Sequence, residues 1–120
     1  MKNLILILAA IAFIYSCGAP QMTKEEKTKL AIHTVDSLNS KLEGQVNDYC
    51  KCLDTKTIKD CQPIYEALCV TYDSASRKTR DAAIDGLLTK DDEKRLHMET
   101  AKWFDKKAAC AKVAMRREGN

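Results

Sequence analysis

The chain has little of what punctuates a β-sheet protein. Two prolines and four glycines occur in 120 residues, and aromatic residues make up 6%. Sandwiches and barrels need turn residues roughly every 8–12 positions, with β-branched or aromatic runs between them. That scarcity excludes both and leaves helices, which the abundance of Lys, Glu, Ala and Leu favours. Charge of one sign is also lacking. Lys and Arg number 20 against 17 Asp and Glu, so the net charge of +3 is a mixed surface, not the basic stripe of a nucleic-acid binder. There is no Gly-rich phosphate loop, no nucleophile elbow, no His-rich metal motif and no Cys-x-x-Cys of the thioredoxin or haem-attachment kind. No cofactor is implied, and no enzyme is expected.

What is present begins with an address. Lys2 follows the amino terminus, and residues 4–15 carry no charge. A span of ~20 apolar residues is needed to cross a bilayer, so this shorter run reads as the hydrophobic region of a signal peptide. At its end stands Ile14-Tyr15-Ser16-Cys17. The tetrapeptide resembles the lipobox of bacterial lipoproteins, with an aliphatic residue at −3 and a small one at −1 before the cysteine. The resemblance covers residues 1–17 only. It implies cleavage after Ser16 and acylation of Cys17, palmitate among the chains, with the membrane as partner. Gly18 at +2 is not the aspartate associated with retention in the inner membrane, so the family implies the outer membrane. The alternative is ordinary secretion as a soluble periplasmic or external protein, cleaved after Gly18. Either way Cys17 leaves the folded domain.

The domain organisation is then a signal peptide at 1–16, a tether at 17–22 and a helical domain at 23–120. Thr23-Lys24-Glu25-Glu26 reads as a capping box. Leu30, Val35, Leu38, Leu42, Val46, Tyr49 and Leu53 follow at spacings that give a first helix over about 24–53. Pro63 is compatible with a first helical turn but not a deeper one, which predicts Asp60 as N-cap of a second helix over about 61–86. Its stripe is Cys61, Tyr65, Leu68, Tyr72, Ala75, Ala82 and Ala83. Thr89 predicts the N-cap of a third helix over about 90–117, with Asp91, Asp92 and Glu93 at its positive end and Arg116 and Arg117 at its negative end. The third stripe is Leu96, Thr100, Trp103, Phe104, Lys107, Cys110, Ala111 and Ala114. Three helices of similar length joined by short loops predict an all-α, up-down-up antiparallel bundle. The weaker third stripe leaves a long two-helix hairpin with a loosely docked third helix as the alternative.

Six cysteines in so short a chain point to an oxidising compartment. With Cys17 removed, the bundle topology gathers Cys50, Cys52, Cys61, Cys69 and Cys110 at the end away from the tether. The favoured bridges are Cys69–Cys110, at matched depth from the helix ends, and Cys50 or Cys52 with Cys61 across the connecting loop. One thiol of five is left over, and it is expected in the Cys-Lys-Cys pair. It suits a free surface thiol or a disulfide-linked homodimer.

Two chemical alternatives use the same residues. Cys61 at a helix start has its thiolate favoured by the dipole, with Cys50 or Cys52 as resolving partner. A cluster of all five would take Cu(I) or Zn(II), although no metal-ligand spacing is complete. His33 and His97, with Asp36 or Glu93, make a weaker pair. Lys106, Lys107, Lys112, Arg116 and Arg117 suit either an anionic lipid or glycan, or simply the helix end. The expectation that follows is a lipid-anchored helical envelope protein with a non-enzymatic role, acting through another envelope protein. Thiol or metal handling is the alternative.

Overall fold

The computed structural model describes residues 21–119. The signal peptide expected over 1–16, Cys17 and the tether as far as residue 20 lie outside the described residues. Three helices account for almost all that is described: α1 (Lys24–Thr55), α2 (Ile58–Ile84) and α3 (Lys90–Gly119). Among the described residues there is no strand, and no helix is long and apolar enough to cross a membrane.

Local chemistry explains most boundaries. The Thr23 hydroxyl accepts from the Glu26 N–H at 3.2 Å, while the Glu26 carboxylate accepts from the Thr23 N–H at 3.3 Å. That is the expected capping box. Thr89 accepts from the Asp92 N–H at 3.1 Å, as its N-cap position predicts. At the end of α2, Gly86 takes φ +72°, its N–H reaches the Ala83 carbonyl, and the Leu87 N–H reaches Ala82. This is a Schellman closure, and it needs the left-handed backbone that glycine adopts at least cost.

The start of α2 corrects the sequence reading. The N-cap is Thr57, not Asp60. Its hydroxyl accepts from the Asp60 N–H at 3.1 Å, and its carbonyl accepts from Cys61. The helix therefore opens at Ile58, and Pro63 stands at its sixth residue, deeper than a first turn. A proline there leaves the Lys59 carbonyl without its usual donor. The early start is held by two bonds that sequence spacing does not reveal. The Ile58 N–H donates to Glu118 Oε1 at 2.9 Å, and Cys61 is tied by a disulfide to α1.

Partner positions establish the topology. Along α1 and α3 they rise together: Asp36 with Arg95, Asn39 with Thr100, Cys50 with Cys110 and Leu53 with Arg117, at separations of 59, 61, 60 and 64. A constant offset means parallel helices. Against α2 the order reverses, with Thr28 meeting Leu87, Tyr49 meeting Tyr65 and Cys52 meeting Cys61. The bundle is up-down-up, and α3 is a full member rather than a loose addition. It buries Leu96, Thr100, Trp103, Lys107 and Ala114.

The core has two unequal halves. Toward the ends of α1 and α3, Leu42, Val46, Tyr49, Leu53, Cys61, Leu68, Trp103 and Ala114 form one apolar cluster. Toward Thr23 the buried layer is mostly small or polar, with Leu96 as its one large apolar side chain: Val35, Asn39, Ala75, Thr79, Ala82, Leu96 and Thr100. Thr79 and Thr100 bond back to the carbonyls of Ala75 and Leu96, at 2.8 and 3.0 Å. Each hydroxyl is thereby satisfied within its own helix.

Candidate functional site

The five cysteines of the helical domain do collect at the end of the bundle away from Thr23, and one of the two expected bridges forms, with Cys52 joined to Cys61 across the connecting loop, while the other does not. Cys50 bonds Cys110, and Cys52 bonds Cys61, with Cα–Cα distances of 5.5 and 5.9 Å. Cys69 is the free thiol, half-buried. The favoured Cys69–Cys110 bridge is therefore wrong, as is the placing of the spare thiol in Cys-Lys-Cys. The cause is the helix start. Because α2 opens at Ile58 and meets Glu118 there, Cys69 lies ~16 Å down α2 while Cys110 lies only ~12 Å below Glu118. One helical turn separates them.

A signal for the true pairing was available. Two residues on, a helix turns by ~200°, so Cys50 and Cys52 face opposite flanks of α1 and cannot compete for one neighbour. Cys52 faces α2 and Cys50 faces α3. Cys61, considered above as a helix-start nucleophile, is bonded and fully buried. Among the described residues no group of three His, Cys, Asp or Glu side chains could hold a metal ion. His33 and His97 are exposed on their helices, His97 lying 3.9 Å from Glu93.

Two members of the basic run on α3 are engaged within the bundle. Lys106 Nζ donates to Asn47 Oδ1 at 2.7 Å. Arg117 donates to the carbonyls of Leu53 and Asp54 at the end of α1. Trp103 is buried, and its indole N–H donates to Glu99 at 3.1 Å. Phe104 stacks on Tyr72 with ring centroids 4.2 Å apart. Lys112 and Arg116 remain exposed.

Lys107 is the exception that makes a site. Its side chain is 7% exposed, and the ammonium sits 3.8 Å from the Phe104 ring centroid and 5.1 Å from that of Tyr65. The aromatic faces attract it, but among the described residues it makes no ion pair or hydrogen bond. It lines a groove of about 340 Å³ between α2 and α3, together with Tyr49, Ile58, Gln62, Tyr65, Ala111 and Met115. Both phenols are held above the ordinary value of 10.0. For Tyr49 the cause is burial first, then the charge of Cys69 and Glu118. For Tyr65 it is a hydrogen bond with the Cys69 side chain, then that group's charge, then burial. Both phenols therefore remain protonated at neutral pH.

Sequence reasoning placed Lys107 on the third stripe by its spacing and grouped it with the basic residues suited to an anionic lipid or glycan or to the helix end, not with a groove. The groove itself had no sequence signal, because Ile58 enters it only through the early start of α2. No family model matches the chain, and no curated protein or solved structure matches it.

Proposed function

We propose that this protein is a lipid-anchored helical component of the bacterial cell envelope, held at the outer membrane through Cys17 and acting by contact rather than catalysis. The observation that carries the reading is Ile14-Tyr15-Ser16-Cys17, standing six residues before the Thr23 capping box. A lipidated cysteine there would leave a short tether and then a rigid rod, with the two cystines at the rod's far end. Those cystines support export to an oxidising compartment, since such bonds are rare in the cytosol. They also weaken the thiol or metal alternative, because four of its five proposed ligands are consumed. Several acyl chains at ~0.8 kcal/mol per buried methylene would anchor the rod stably. Cys17→Ala is expected to abolish incorporation of labelled palmitate and to move the protein from the membrane fraction to the soluble one. Unchanged processing and partitioning in that variant would sink the reading.

A further inference from the structure

The groove between α2 and α3 holds a cation without a counter-ion. Lys107 is more than nine-tenths buried and lines the cavity, and none of the ion pairs of the described residues includes it. The ammonium is held over two aromatic rings and has no carboxylate partner, so it is available to pair with an anion that enters the groove. The rest of the lining is mostly apolar or phenolic, with the Gln62 carboxamide as its one other polar side chain. Ile58, Ala111 and Met115 suit a hydrocarbon tail, and the Tyr49 phenol supplies a hydroxyl donor. Glu118, whose charge bears on Tyr49, keeps that charge while accepting from the Ile58 N–H at 2.9 Å, but it does not line the groove and makes no ion pair with Lys107. The site is therefore complementary to one negative charge carried on an apolar body.

Size narrows the class. A cavity of about 340 Å³ accommodates roughly ten non-hydrogen atoms at ~30 Å³ each. We propose that the groove binds a small aliphatic monocarboxylate of about eight carbons, its carboxylate on the Lys107 ammonium and its tail against Ile58, Ala111 and Met115. A carboxylate on an ammonium makes a charge-assisted hydrogen bond, which a neutral alcohol of the same length cannot match. Nothing in this inference depends on the anchor at Cys17.

The test titrates octanoate, and separately octanol, into the full chain, in plain buffer if it is soluble and in phosphatidylcholine nanodiscs with empty nanodiscs subtracted if it partitions with lipid, with heat as the readout. Octanoate is expected to bind one per chain, and Lys107→Met to weaken it at least about tenfold while leaving octanol unchanged. Methionine keeps the unbranched shape, so the core stays filled, and circular dichroism checks that it does. Ala108→Trp, an exposed position on the groove wall, is expected to block octanoate with Lys107 intact. The proposal is overturned if wild type shows no saturable octanoate binding, if Lys107→Met binds it equally well, or if Ala108→Trp leaves it unaffected.

Discussion

A threonine hydroxyl carries one proton, yet Thr100 Oγ1 lies 3.0 Å from the Leu96 carbonyl and 2.7 Å from Asn39 Oδ1. Asn39 Nδ2 meanwhile is buried without a partner. Turning the carboxamide about lets Nδ2 donate to Thr100 while the hydroxyl donates to Leu96. One end of the buried amide stays unpaired in either orientation. Leucine has the same branching without the polar atoms, and Thr100 keeps its bond to Leu96. Asn39→Leu is thus expected to leave stability unchanged or to raise it by about 1 kcal/mol, read as a higher thermal midpoint. A loss above about 2 kcal/mol would show instead that the amide stabilises the bundle. The two raised phenols make a second prediction. The folded chain holds protons on Tyr49 and Tyr65 that the unfolded chain releases near pH 10. Their contribution is fully present below that pH and is lost as the pH climbs through the raised folded values. Urea midpoints measured between about pH 9 and 11 should fall more steeply for wild type than for the Tyr49→Phe, Tyr65→Phe double variant.

Helix ends in this bundle are completed by other helices as well as by their own residues. No basic residue stands in the last turn of α1. Arg117 of α3 supplies the missing cation, donating to the Leu53 and Asp54 carbonyls. The next residue, Glu118, accepts from the Ile58 N–H at the start of α2. A single turn of α3 thus offers a cation to a negative helix end and an anion to a positive one. Arg117→Ala is expected to cost about 0.5–1 kcal/mol and to speed amide exchange at Thr55 and Lys56, with Lys24 to Lys29 unaffected. Faster exchange spread evenly along α1 would argue that Arg117 acts on global stability. The same distinction explains which boundaries could be read from sequence. Thr23 and Thr89 cap with their own neighbours, so their patterns are visible in a few residues. The choice of Thr57 over Asp60 is reinforced by Glu118, 60 residues from the Ile58 N–H it accepts from, and no local pattern contains that information.

At the scale of the bundle, helical periodicity conveyed the up-down-up order but not the lateral register on which the cysteines depend. Leu42, Val46, Tyr49, Leu68, Leu96 and Trp103 were all on predicted stripes and all are buried. Asn39, Thr71 and Thr79 are buried as well, and a rule that seeks apolar side chains passes over them. An offset of one turn in α2 was enough to move Cys69 out of reach of Cys110. The register actually adopted gives the two cystines unequal weight. Cys52–Cys61 closes a loop of separation 9 between neighbouring helices, whereas Cys50–Cys110 spans 60 and includes all of α2. In the chain-entropy account the shorter loop stabilises by ~2.6 kcal/mol and the longer by ~4.3 kcal/mol. Cys50–Cys110 also joins the two parallel helices, which no short loop connects. Removing it as Cys50→Ala, Cys110→Ala is therefore expected to lower the urea-derived stability by about 1–2 kcal/mol more than Cys52→Ala, Cys61→Ala. Trp103, between the helices that Cys50–Cys110 ties, reports the transition by its fluorescence. Equal losses in the two double variants would mean that α3 is held by its buried face alone, and that the longer cystine follows the fold rather than securing it.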